Sequence, residues 1–184
     1  MLGLDPKQFP EIAGTCAGSC IVAAGAACVW DDLIALDQDW DVMTVNDITM
    51  HFPGVIAHAF SYDAPWLAKW VAARRELLTR KYGPIGAIHS NNRPVEHFWP
   101  WPGQGTSALG AVYTALALGY KQIVLCGVPL DDSPHYFDPP WARCNFTREV
   151  GTRGEKTLRY WNPAVLAGVT SMSGRTRELL GSPT

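Results

Sequence analysis

The chain has 184 residues, of which 47% are apolar and 17% charged, with a formal net charge of −2. Those values describe a packed globular chain, read as a single domain over residues 1–184, and exclude a disordered one. Its basic residues are scattered apart from Arg74, Arg75, Arg80 and Lys81, so the basic face that grips phosphate backbones is missing and a nucleic-acid partner is not indicated.

In chain order, Cys20-Ile21-Val22-Ala23-Ala24 is a short apolar run closed by Gly25, and the spacing of Leu33 and Leu36 predicts a helix over 30–36. A second strand is expected over 41–46 and a third over 55–61, each ending in polar residues. Apolar residues recur through 64–81 with charges between them, and Gly83-Pro84 supplies the stop, which predicts an amphipathic surface helix. A fourth strand over 85–89 leads into a proline-punctuated loop over 91–104 that carries Trp99 and Trp101. Such a loop reads equally as a pocket wall or as the cover of a small satellite core.

Gly105-Thr106-Ser107 opens a helix that runs to Leu118 and stops at Gly119, and residues 122–126 form a buried strand closed by Gly127. An irregular region near 129–160 follows, then two helices are expected over 157–167 and 173–180, the latter with Ser173 as its cap. Strands alternating with helices predict an α/β, Rossmann-like fold: a mainly parallel sheet with helices on both faces.

No window of about 18 apolar residues exists, as a bilayer span requires. Met1-Leu2 leads to Asp5-Pro6-Lys7 rather than to a basic start and an apolar stretch, so no signal peptide is expected and the cytoplasm is the expected compartment. Cys16, Cys20, Cys28, Cys126 and Cys144 lack the paired spacing of a zinc site and read as structural thiols, Cys126 as a small buried hydrophobe. No metal site is assigned.

In an open parallel sheet, ligands bind beyond the carboxyl ends of the strands where the strand order reverses. The small residues Gly25 and Ala26 after the first strand allow a phosphate to approach the backbone, although a tight turn needs the same residues. Asn46 and Asp47 follow the second strand and offer groups for a base or ribose. Thr106 and Ser107 open the best-marked helix, and capping needs only one of the two. After Gly127 come Asp131, Asp132 and His135, residue types that accept protons or hold a metal; His135 leads as a general base. Neither a G-x-S-x-G elbow nor a deaminase signature is present.

The block from Thr106-Ser107-Ala108 through Ala115-Leu116-Ala117-Leu118-Gly119-Tyr120-Lys121-Gln122-Ile123-Val124-Leu125-Cys126-Gly127 resembles the bacterial sialyltransferases that use CMP-sialic acid. In them a Thr-Ser-Gly helix start precedes a run like ALGYKEIYLSGID. Related patterns occur in Rossmann-like proteins similar to the archaeal 6-hydroxymethylpterin diphosphokinases and in uncharacterised phage-type proteins. Ile21 to Gly25 with Asp31-Asp32-Leu33 looks like the family's first strand and glycine loop, and Val45-Asn46 like its second strand. The resemblance implies that Asn46, Thr106, Ser107 and Gly127 belong to a CMP-binding surface.

The chain also departs from that pattern. Ala26-Ala27-Cys28 replaces a Gly-Pro-Ser, Pro129 stands where the family has the aspartate of Gly-Ile-Asp, and no histidine follows Phe137, where the family's lid carries its catalytic one. Three functions are therefore carried forward. The first is a glycosyltransferase-like enzyme using a nucleotide or nucleotide-sugar donor, with His135 or an aspartate activating the acceptor hydroxyl. The second is a diphosphokinase of the hydroxymethylpterin type, with Asp131 and Asp132 holding Mg²⁺ against ATP. The third is a non-catalytic nucleotide- or protein-binding module of a mobile element, with Trp99, Trp101 and Trp141 as an exposed interface.

Overall fold

The apolar runs read above build the centre of one seven-stranded sheet. In the computed structural model, which describes residues 4–131, 133–138 and 157–184, the strands are β1 (Ser19–Ala23), β2 (Asp41–Val45), β3 (Ile56–Phe60), β4 (Ile85–Ser90), β5 (His97–Phe98), β6 (Gln122–Cys126) and β7 (Val169–Ser171). Their order is β5-β4-β3-β2-β1-β6-β7, and every pairing is parallel. The chain winds outward from β1 to β5, then crosses back to place β6 on the other side of β1. The order therefore reverses between β1 and β6, where Ala23 sits opposite Cys126.

Helices cover both faces. On one side α5 (Ser107–Leu118) lays Leu109, Val112 and Leu118 against Cys20, Val22, Met43 and Phe60. This helix is buried almost all round, which matches its continuous apolar sequence. Thr106 accepts a hydrogen bond from the Leu109 N–H at 3.3 Å to start it, and Gly119 at φ 113° ends it in the left-handed region that glycine tolerates best. On the other side α1 (Val29–Leu36) and α2 (Ile48–His51) cover Ile21, Val42 and Val124, while α3 (Ala64–Ala73) sets Leu67 and Val71 on Ala59 and Ile88. The last helix, α6 (Gly174–Leu180), follows β7.

Several expectations need correction. The helix read over 64–81 is α3, a π-helical stretch Arg74–Leu78, and a short α4 (Thr79–Tyr82). Arg74 is not on a solvated face: it is fully buried, and its guanidinium donates to the carbonyls of Phe52 (2.6 Å), Gly54 (2.6 Å), Tyr82 (2.8 Å) and Gly83 (3.0 Å). Trp99 and Trp101 are buried too, stacked at 5.5 Å with Phe9 against both rings. The loop over 91–104 thus delivers both rings into the main core with Val22, Met43 and Val112 rather than into a satellite core, and they form no exposed interface; Trp141 lies outside the described residues. Over 157–167 only Thr157 and Leu158 are helical, and turns follow, since Pro163 removes an amide donor where a helix would need one. β7 (Val169–Ser171) lies between the two expected helices, where the sequence predicts no strand.

The four described cysteines are free thiols. Burial pushes Cys20 and Cys126 far above the usual thiol range, and Cys28 up to about 11. Cys20 and Cys126 are buried within their strands, Cys16 and Cys28 are half-buried, and Cys144 lies outside the described residues. Among the described residues no helix is long and apolar enough to cross a membrane.

Candidate functional site

Because the sheet is parallel and in register, the residues after β1, β2, β3 and β6 emerge along one edge. A cavity of about 410 Å³ lies there, over the reversal point. It brings together Gly25, Ala26, Asn46, Thr106, Ser107, Gly127, Asp131 and His135 from four separate segments of the chain. Asp132 lies outside the described residues.

Asn46 adopts φ 60°, a left-handed conformation that asparagine tolerates better than most residues. Its Oδ1 accepts from the Ser61 hydroxyl at 2.8 Å, which leaves the amide NH₂ as the group offered to the cavity. Asp47 turns elsewhere. It does not line the cavity but faces Tyr136, whose phenol is pushed up by burial first and by the Asp47 carboxylate second.

Thr106 and Ser107 divide their work. Thr106 caps α5, whereas the Ser107 hydroxyl accepts from the Tyr62 N–H at 3.3 Å and keeps its own proton to donate. The first N–H groups of α5 have no partner within the helix and carry its positive dipole end. No Lys or Arg is among the described lining residues. An anion in the cavity would therefore be met by dipoles, hydroxyls and an imidazole rather than by a fixed cation.

Gly127 holds the turn after β6. At φ 68° it accepts no side chain, because a Cβ would strike the Ala24 carbonyl and come within 2.7 Å of the Val29 Cβ. Its N–H donates to Asp32 Oδ2 at 2.8 Å, and the same oxygen accepts from the Ser173 hydroxyl at 2.9 Å. Asp32 is buried, and nothing in its local sequence marks it, since both partners come from distant segments. Ser173 spends its hydroxyl on Asp32 and makes no side-chain cap on α6. Cys28, where the resembling family has a serine, contacts Ser173 at 3.3 Å instead of lining the cavity.

The segment after Gly127 folds back onto the first loop. Ala26 and His135 form an antiparallel bridge, Ala27 N–H donates to the Pro134 carbonyl at 2.8 Å, and Tyr136 N–H donates to the Gly25 carbonyl at 3.0 Å. His135 Nδ1 lies 3.1 Å from that carbonyl as well. A carbonyl only accepts, so Nδ1 carries the proton and Nε2 is left with the lone pair. Phe137 stacks on the imidazole at 5.2 Å and fixes its plane. Asp131 lines the cavity with Oδ1 already accepting from the Ser133 N–H at 2.8 Å. Among the described residues no group of three His, Cys, Asp or Glu side chains is placed to hold a metal ion.

Tyr62 belongs to the Ser61-Tyr62-Asp63 end of β3, whose polar groups the sequence offers to a base or ribose. It lines the cavity, its hydroxyl is buried without a hydrogen-bond partner among the described residues, and burial raises its phenol well above the usual range. The signal available in the sequence was its position directly after β3.

Strand order, parallel pairing and two covered faces define a Rossmann-like α/β protein with its cavity at the reversal point. Among solved structures the chain is similar to the sialyltransferase CstII from Campylobacter jejuni, determined in complex with a substrate analogue, CMP-3FNeuAc. The likeness has a TM-score of 0.59 at 14% identity and covers 90% of this chain and 88% of that one. At that identity it shows a shared, sialyltransferase-like fold. No protein-family model and no curated protein matches the chain.

Proposed function

We propose that the protein binds a nucleotide-activated sugar in the cavity over β1 and β6 and acts as a glycosyltransferase-like enzyme, with a CMP-sugar as the donor. One observation carries this reading: Gly25, Asn46, Thr106, Ser107, Gly127 and His135, scattered over more than half the sequence, converge on a single cavity at the reversal point. The solved neighbour of the same fold was determined with a CMP-sugar analogue, which supports the choice of donor.

In this reading the donor phosphate lies against the start of α5. There the Ser107 hydroxyl and the first helical N–H groups stabilise the charge that develops as the glycosidic bond to phosphate breaks. Asn46 offers its amide NH₂ to the donor. His135 Nε2 takes the proton of the acceptor hydroxyl as its oxygen attacks the anomeric carbon. A Cβ at Gly25 would meet both His135 Nδ1 and Asp47 Oδ1 at 3.4 Å, about van der Waals contact, so Gly25 packs directly against the imidazole.

Calorimetric titration of the full chain with CMP, and separately with ATP and Mg²⁺, tests the proposal. CMP binding that weakens about tenfold in S107A is expected. Binding of ATP with Mg²⁺ but not of CMP would replace this reading with the diphosphokinase one, and heatless titrations with both would overturn nucleotide binding altogether.

A further inference from the structure

Beyond the donor cavity, on the side toward β4, a second and more open groove of about 670 Å³ is lined by Asp63, Trp70, Asn92 and Arg93. It shares Asn46, Tyr62 and Ser107 with the donor cavity, so the two spaces meet along one wall. The backbone of Tyr62 forms that wall and is tied on both sides: its N–H donates to Ser107 Oγ, and its carbonyl accepts from the Asn92 side-chain amide.

The two spaces differ in chemistry. The donor cavity has an apolar wall in Val128, Pro129, Leu130 and Pro134, which suits a flat base. The groove instead combines the indole of Trp70, which stacks on Trp66, with a carboxylate, an amide and a guanidinium, which suits a hydroxylated ring. An aromatic face covers the C–H side of a sugar, while amide and carboxylate groups satisfy its hydroxyls in both hydrogen-bonding senses.

Arg93 adds a charge preference. Its guanidinium sits 4.9 Å over the Phe98 ring, which orients the planar fork, and among the described residues it has no ion pair. Asp63, the acidic residue of the groove, already accepts from the Trp66 N–H as the cap of α3. The cation therefore remains for the ligand.

We infer that this groove is the acceptor subsite and that it takes a carboxylate-bearing sugar, with the ring on Trp70 and the carboxylate on Arg93. The inference rests on the glycosyl-transfer reading for the word acceptor, but the groove is tested independently of it.

In NMR titrations of the full chain without nucleotide, methyl β-glucuronide and its neutral counterpart methyl β-glucoside serve as probes. The glucuronide is expected to shift the Trp70 indole N–H signal and to bind at least fivefold more tightly than the glucoside. In R93Q, which alters an exposed side chain and is expected to keep the wild-type thermal midpoint, that preference is expected to vanish. A glucuronide that leaves Trp70 unperturbed, or a preference that survives R93Q, overturns the subsite. Failure of CMP to bind in its own titration overturns the donor reading and leaves the glucuronide result standing, so the two outcomes are distinguished.

Discussion

His58 and His89 share a hydrogen bond of 3.0 Å beneath Trp99, and their tautomers follow from their neighbours. Trp99 Nε1 donates to His89 Nδ1 at 3.0 Å, so His89 Nε2 carries a proton and gives it to His58 Nδ1. His58 Nε2 then donates to the Tyr120 hydroxyl at 3.0 Å, which donates to Asp41 at 2.6 Å. Every link uses a neutral ring. Burial holds His58 down to about 4, against the pull of Asp41, and it holds His89 down to about 2 with help from His58 and His97.

Because both folded values lie below the unfolded value of about 6.5, the unfolded chain takes up more protons in acid. Stability from this pair is fully present above pH 6.5 and is lost as the pH falls below it, toward 4 for His58 and toward 2 for His89. At pH 5 the loss is about 2 kcal/mol per histidine. Thermal midpoints measured from pH 7.5 to 4.5 are expected to fall steeply below 6.5. A double variant H58Q/H89F, less stable at neutral pH, is expected to show a flatter profile over the same window.

Arg74 organises the turns before β3 and β4 through the four carbonyls it reaches. R74M would bury those oxygens without their donor and is expected to cost about 3 kcal/mol or more. R74K keeps the charge but not the planar fork and is expected to recover less than half of the loss. Urea unfolding followed by tryptophan fluorescence measures both.

Asp32 is expected to matter twice. D32A leaves the Gly127 N–H without its acceptor, at a cost of about 1–3 kcal/mol, and loosens the turn that floors the cavity. D32N keeps an oxygen for Gly127 and is expected to be milder in urea. CMP affinity should fall in the order wild type, D32N, D32A.

Thr106 and Ser107 should separate in a paired comparison. T106A removes the helix cap and is expected to lower stability by about 1 kcal/mol. S107A is expected to leave the thermal midpoint within a degree or two while weakening CMP. Melting curves and calorimetry on the same two proteins read the difference.

Much of the cavity's lining was legible because its residues stand at strand ends and helix starts, which local pattern marks. Gly25, Asn46, Thr106, Ser107 and Gly127 all fall at such boundaries, and β6 with α5 announced itself by an unbroken apolar run between a cap and a glycine. Long-range partners were not legible. Asp32 reads as an ordinary first-turn acid until Gly127 and Ser173 arrive from elsewhere, and Arg74 reads as a surface cation until four carbonyls surround it. His58 and His89 interrupt their strands with polarity and reveal their role only through Trp99 and Tyr120. Three-residue β7 is too short to show a period, and the Thr157 segment carries helix-forming residues whose run Pro163 cuts off.

The oxygen of Asp32 that Gly127 and Ser173 share joins α1, the turn after β6 and the entry to α6. Three pieces of chain that touch no common ligand thus hang from one atom. Whatever stiffens the floor of the cavity is felt at the far end of the polypeptide, and fraying of α6 is felt at the cavity, so the last dozen residues act as a brace for a pocket they never enter.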